Sequence, residues 1–194
     1  MSAAGFELEV ESLRRALRAR GHELESSKRQ AAWEAEISAC ELAIGRSLPE
    51  AYRAVLRAHN GLALTIDPKP GSQPDLILYG TDDVTEEHER FERQYRSVKP
   101  DGESMGRAGL ASEAPHFWDS LIAFANYDVG VCVFDVSPDA PGGHVVRDLD
   151  LDDLHTTREA VLAASFDDWV AKAFAAAVDD QSFVYWLPGE ATRG

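Results

Sequence analysis

The sequence predicts a single α+β domain with a mainly antiparallel sheet flanked by N-terminal and C-terminal helices. Three observations predict it. Apolar residues recur at helical spacing through residues 6–59. Two apolar runs rich in β-branched and aromatic residues, 121–126 and 129–136, flank the turn-forming Asn126-Tyr127-Asp128. A capped amphipathic helix follows Ser165. Strands and helices are segregated along the chain, not alternating, which argues against a parallel α/β sheet. The length of 194 residues suits one domain.

Phe6, Val10, Leu13 and Leu17 mark the first helix, and Gly21 stops it. A second helix is expected from Ser26 or Ser27, continuing through Trp33, Ile37 and Cys40 to Ile44-Gly45. The third is the most sharply delimited. Ser47 and Glu50 have capping-box spacing, Pro49 suits a first turn, and Tyr52, Val55, Leu56 and His59 share one face. Asn60-Gly61 ends it, because both residues tolerate a left-handed backbone.

Residues 62–66 and 76–79 read as strands around a Pro/Gly-rich turn. Residues 82–96 form a polar helix resting on Val84, Phe91 and Tyr95. Residues 97–115 are a Gly-, Ser- and Pro-containing loop, long enough to be functional. After the central hairpin, 139–143 is a turn and 144–147 a short strand. In the last helix Ser165 is the cap, and Trp169, Val170, Ala173, Phe174 and Ala177 form the buried face. Residues 183–187 either add a strand or pack as an aromatic tail.

The net charge is −15, and its placement is uneven. Residues 1–60 hold nine acids and nine bases, so the whole excess lies in residues 61–194. Such a surface repels phosphate backbones, so direct nucleic-acid binding is not expected. It has two readings: solubility, or attraction of a basic partner. No basic start followed by an apolar run opens the chain, and no run of about 18 apolar residues occurs, so a cytoplasmic protein without membrane association is expected. Cys40 and Cys132 lack metal-type spacing and read as buried thiols.

The stretch Glu41, Ile44-Gly45, Leu48-Pro49-Glu50-Ala51-Tyr52, Leu56, Asn60-Gly61 resembles the N-terminal signature of the SUKH superfamily. Leu121-Ile122-Ala123-Phe124-Ala125-Asn126, Val133-Phe134-Asp135 and Ser165-Phe166-Asp167-Asp168-Trp169 resemble later motifs of that group, so the similarity covers about residues 30–178. It implies a SUKH-like domain at residues 26–180, an N-terminal helical extension at 1–25 and an aromatic tail at 181–194. It assigns structural-motif status to Gly45, Leu48, Pro49, Tyr52, Asn60 and Gly61. The superfamily includes a fungal cell-wall-synthesis regulator and many bacterial immunity proteins. The resemblance therefore implies a binding module, in one case neutralising a toxin such as a nuclease, in the other serving a partner that is not a toxin.

No catalytic motif competes with this reading. The six histidines show no His-x-x-x-His or Cys–His spacing, and no nucleophile elbow, phosphate loop or dinucleotide fingerprint occurs. No enzyme activity, metal or cofactor is expected. The alternating carboxylates of residues 148–153 lack the turn glycine and final glutamate of an EF-hand. They stand instead with the acidic helix as a candidate partner surface: Asp82, Asp83, Glu86, Glu87, Asp148, Asp150, Asp152 and Asp153. Trp118 joins them beside the long loop, whereas Trp33, Trp169 and Trp186 read as core.

Overall fold

The structure, a computed structural model, describes residues 1–98, 120–127, 130–138, 140, 143–150, 161–180 and 183, without the side chains of 92, 94–98, 149, 150 and 180. The expected loop beyond Val98, the candidates Trp118, Asp152 and Asp153, and the tail beyond Phe183 with Trp186 lie outside the described residues.

Seven strands among the described residues form one sheet in chain order, each antiparallel to the next: β1 (Leu24–Lys28), β2 (Leu62–Ile66), β3 (Leu76–Leu78), β4 (Leu121–Tyr127), β5 (Gly130–Asp135), β6 (Val145–Asp150) and β7 (Val161–Ala163). Five described helices accompany them: α1 (Ala3–Ala19), α2 (Glu34–Ile44), α3 (Glu50–Ala58), α4 (Thr81–Val98) and α5 (Phe166–Asp180). The chain is thus α+β with helices at both ends, as its segregated pattern predicts.

The centre of the core is aromatic. Tyr52 of α3 meets Phe124 of β4, Phe134 of β5 and Phe166 of α5 edge-on, with centroids 5.7, 5.4 and 5.5 Å away. Phe124 and Phe134 stack at 4.0 Å, and Trp169 meets Phe124 at 4.9 Å. These rings and Leu56 are all essentially buried, and Tyr52, Leu56, Phe124, Phe134 and Trp169 belong to one core. α1 enters the same cluster: Phe6 lies 6.3 Å from Phe166 and 6.4 Å from Phe174, and Val10, Leu13 and Leu17 are buried.

Phe124 sits at a bulge, because Ala123 pairs with Val133 while Ala125 pairs with Cys132. The extra residue leaves the Phe124 carbonyl available. It accepts the Tyr79 N–H at 2.9 Å and the Tyr52 hydroxyl at 3.1 Å, and that hydroxyl also lies 2.5 Å from the Tyr79 carbonyl. Burial pushes the Tyr52 hydroxyl well above its ordinary pKa. Tyr52 therefore ties α3 to the β3–β4 junction by a neutral donor.

Four expectations need correction. Residues 24–28 form β1, not a helix start. Ser26 and Ser27 are weak helix formers, and the segment instead pairs with β2, Ser26 opposite Leu64. Ser47 does not cap α3: Pro49 precedes its first residue, with no side-chain cap, and Glu50 pairs with Arg57 at 2.6 Å. α3 ends at Ala58, before Asn60-Gly61, with His59 already extended and its ring on Glu7 of α1. Trp33 is not core. It is the residue before α2 and is 71% exposed.

Candidate partner-binding surface

α2 is positioned by its two ends. At the start, the Trp33 N–H donates to Glu36 Oε2 at 2.6 Å, so a first-turn carboxylate satisfies a free helix-end amide. At the stop, Gly45 has φ +68°, and the Arg46 N–H reaches back to the Glu41 carbonyl at 3.0 Å. The Glu41 carboxylate then accepts the Leu48 N–H at 2.8 Å. This gives the signature residues their roles. Gly45 turns the chain, Glu41 holds the following segment, Leu48 and Pro49 are buried, and Tyr52 anchors α3.

α4 is capped from a distance. Asn60 Oδ1 accepts the Thr81 N–H at 2.7 Å, and its Nδ2 donates to Thr81 Oγ1 at 3.1 Å. Asp83 Oδ2 accepts the Gly80 N–H at 2.7 Å. Gly80 is required by this arrangement: a Cβ there would sit 2.5 Å from the Asn60 carbonyl oxygen. Gly61, at φ +110°, delivers the chain from Asn60 into β2. So Asn60 and Gly61 serve mainly to seat α4, and Gly80 is the partner residue the sequence reading missed. The Gly80-Thr81-Asp82-Asp83 run, with an acid at the third helical position, was the available signal.

That seating fixes where the four α4 candidates point. Asp83 is held by Arg29 at 2.6 and 3.2 Å. Glu87 is half-buried and paired with Arg90 at 2.6 Å, and burial raises its carboxyl above the ordinary range. Asp82 and Glu86 are exposed and make no hydrogen bond or ion pair with another described residue. They line an open groove of about 470 Å³ between α2 and α4, together with Glu36, Glu89, Thr85 and the small residues Ala39, Cys40 and Ala43. Burial also pushes the Cys40 thiol up, so it stays protonated at neutral pH.

The second acidic stretch is placed differently. Asp148 and Asp150 belong to β6, opposite Cys132 and Gly130 of β5. Asp148 is partly buried and accepts the Tyr127 hydroxyl. Tyr127 reaches it across Gly130, where a Cβ would lie 2.5 Å from the Tyr127 ring. One strand position away, Arg147 and Asp135 form a buried ion pair at 2.9 Å. Burial raises the Asp135 carboxyl, but hydrogen bonds from Ser137 and Arg147 outweigh it and hold the group below its ordinary range.

No group of three or more His, Cys, Asp or Glu among the described residues could hold a metal ion. No helix among them is long and apolar enough to cross a membrane.

No curated protein matches the chain. The family model of the SMI1 / KNR4 family (SUKH-1) matches residues 31–172, from just before α2 into α5. That span contains the signature residues, the α2–α4 groove and the Phe124–Phe134 hairpin. By this match, which covers most of its length, the chain belongs to the SMI1 / KNR4 family (SUKH-1).

Proposed function

We propose that this protein is a non-enzymatic cytoplasmic immunity protein that binds a cognate bacterial toxin of basic character and blocks its active site. Family membership supports a binding role, since the SUKH group includes toxin-immunity proteins and fungal regulators. The observation that carries the choice is charge placement. The excess of −15 lies entirely beyond residue 60, and Asp82 and Glu86 on α4 stand exposed with no internal partner among the described residues. Nucleic-acid-cutting toxins carry basic substrate grooves, so an acidic inhibitor competes with the substrate for the same charges.

The test is isolation of the native partner from the source organism, followed by assay of that partner alone and in complex. The proposal expects a basic protein with a toxic activity, such as nucleic-acid cleavage, that the complex abolishes at equal stoichiometry. A partner with no toxic activity would overturn the immunity role and place the protein with the regulators of its family.

A further inference from the structure

The exposed side of α2 carries more apolar surface than a solvated helix needs. Leu42 is 84% exposed and Trp33 71% exposed, two of only four large hydrophobic residues exposed among those described. Ala35, Ala39, Leu42 and Ala43 fall on one strip of the helix surface at spacings of three and four. Ala39 and Ala43 also form part of the groove floor against α4. The groove wall is acidic: Glu36, Asp82, Glu86 and Glu89 line it, and no basic residue among those described does.

We infer that the α2 face beside α4 is a docking surface for a basic amphipathic helix of the partner protein. Small side chains on the floor allow a third helix to approach closely, with its ridge in the groove between the two. Leu42 and Trp33 supply apolar contacts at the margins, and the carboxylates of α4 pair with lysine or arginine along the incoming helix. A second copy of this chain does not fit the requirement, since each copy carries net charge −15. The inference rests on the binding function proposed above, and it adds the face used and the kind of element bound.

The test uses a short synthetic amphipathic helix of leucine, alanine and lysine, titrated into the isotopically labelled full chain and followed by backbone amide shifts. The expected changes cluster on α2 and the first half of α4. Leu42→Asp, and separately the double change Asp82→Lys with Glu86→Lys, should each weaken binding at least about tenfold. Leu8→Asp, at a residue 68% exposed on α1, should not. Changes centred elsewhere, unaltered affinity for Leu42→Asp, or equally tight binding of a lysine peptide without apolar residues would overturn the inference. The peptide reads this surface without the native partner. A native toxin bound equally well by the Leu42→Asp protein would likewise overturn the docking face while leaving the immunity function intact.

Discussion

Residues 82–92 and 148–153 are both dense in carboxylates, yet one set lies along a helix and the other begins inside the sheet. On α4 the helical period sends Asp82 and Glu86 outward, while Asp83 and Glu87 turn toward Arg29 and Arg90. On β6, which is paired on both sides, Asp148 faces Tyr127 and is partly buried. The same residue type serves in one place as free surface charge and in the other as an internal acceptor. What separates them is the element's period and its neighbours, not the local density of charge.

The largest expected effect lies on the internal side of this contrast. Arg147→Leu leaves Asp135 buried without its cation and should cost roughly 3–5 kcal/mol in chemical denaturation. It should also change the pH response. The Asp135 carboxyl lies below its ordinary value in the folded protein. Its contribution is therefore complete above the unfolded value and is lost as pH falls through the folded one. Without Arg147 that loss should begin at higher pH, which stability measured across the acid range would detect. An unchanged acid profile would mean that the ion pair contributes little to holding the sheet.

Next is Tyr127→Phe, which removes the donor to Asp148 while keeping the ring. A loss of about 1.5–3 kcal/mol is expected for a bond to a charged acceptor. A loss near zero would show that the Tyr127 hydroxyl contributes little to holding Asp148 and would weaken the contrast. On the α4 side, Gly61→Val tests how the helix is seated. With φ at +110°, it should cost about 1–2 kcal/mol. An unchanged melting curve would show that the Asn60 seat tolerates the substitution. The smallest effect belongs to Asp82→Lys with Glu86→Lys. Glu86→Lys should shift stability by no more than about 0.5 kcal/mol, and Asp82→Lys, in the first turn of α4 where the helix dipole favours an acid, by up to about 1 kcal/mol.

The sequence was most legible where the signal is local and repeated. The α5 cap at Ser165, where the Asp168 N–H donates to its hydroxyl at 3.2 Å, follows from the residues themselves. So do strand β2, the hairpin β4–β5 and the buried face of α5. β1 was not legible, because Leu24-Glu25-Ser26-Ser27-Lys28 has little strand character until β2 is beside it. The Asn60–Thr81 cap joins positions 21 residues apart and leaves no periodic trace. For the candidate surface, the acids of α4 could be named from sequence, but not which two are free. Leu42 was not singled out and Trp33 was read as core, because helical spacing alone does not tell an exposed apolar residue from a core one.

The central claim is that the free carboxylates of α4 draw in a basic partner, and association kinetics with the purified native partner test it most directly. The association rate of the unaltered protein should fall steeply as salt rises, because exposed charges are screened beyond about 8 Å at physiological ionic strength. In the Asp82→Lys, Glu86→Lys protein the rate at low salt should drop and its salt dependence should flatten. A rate that ignores both the salt and the substitutions would contradict the account and leave the acidic face of α4 with a role in solubility alone.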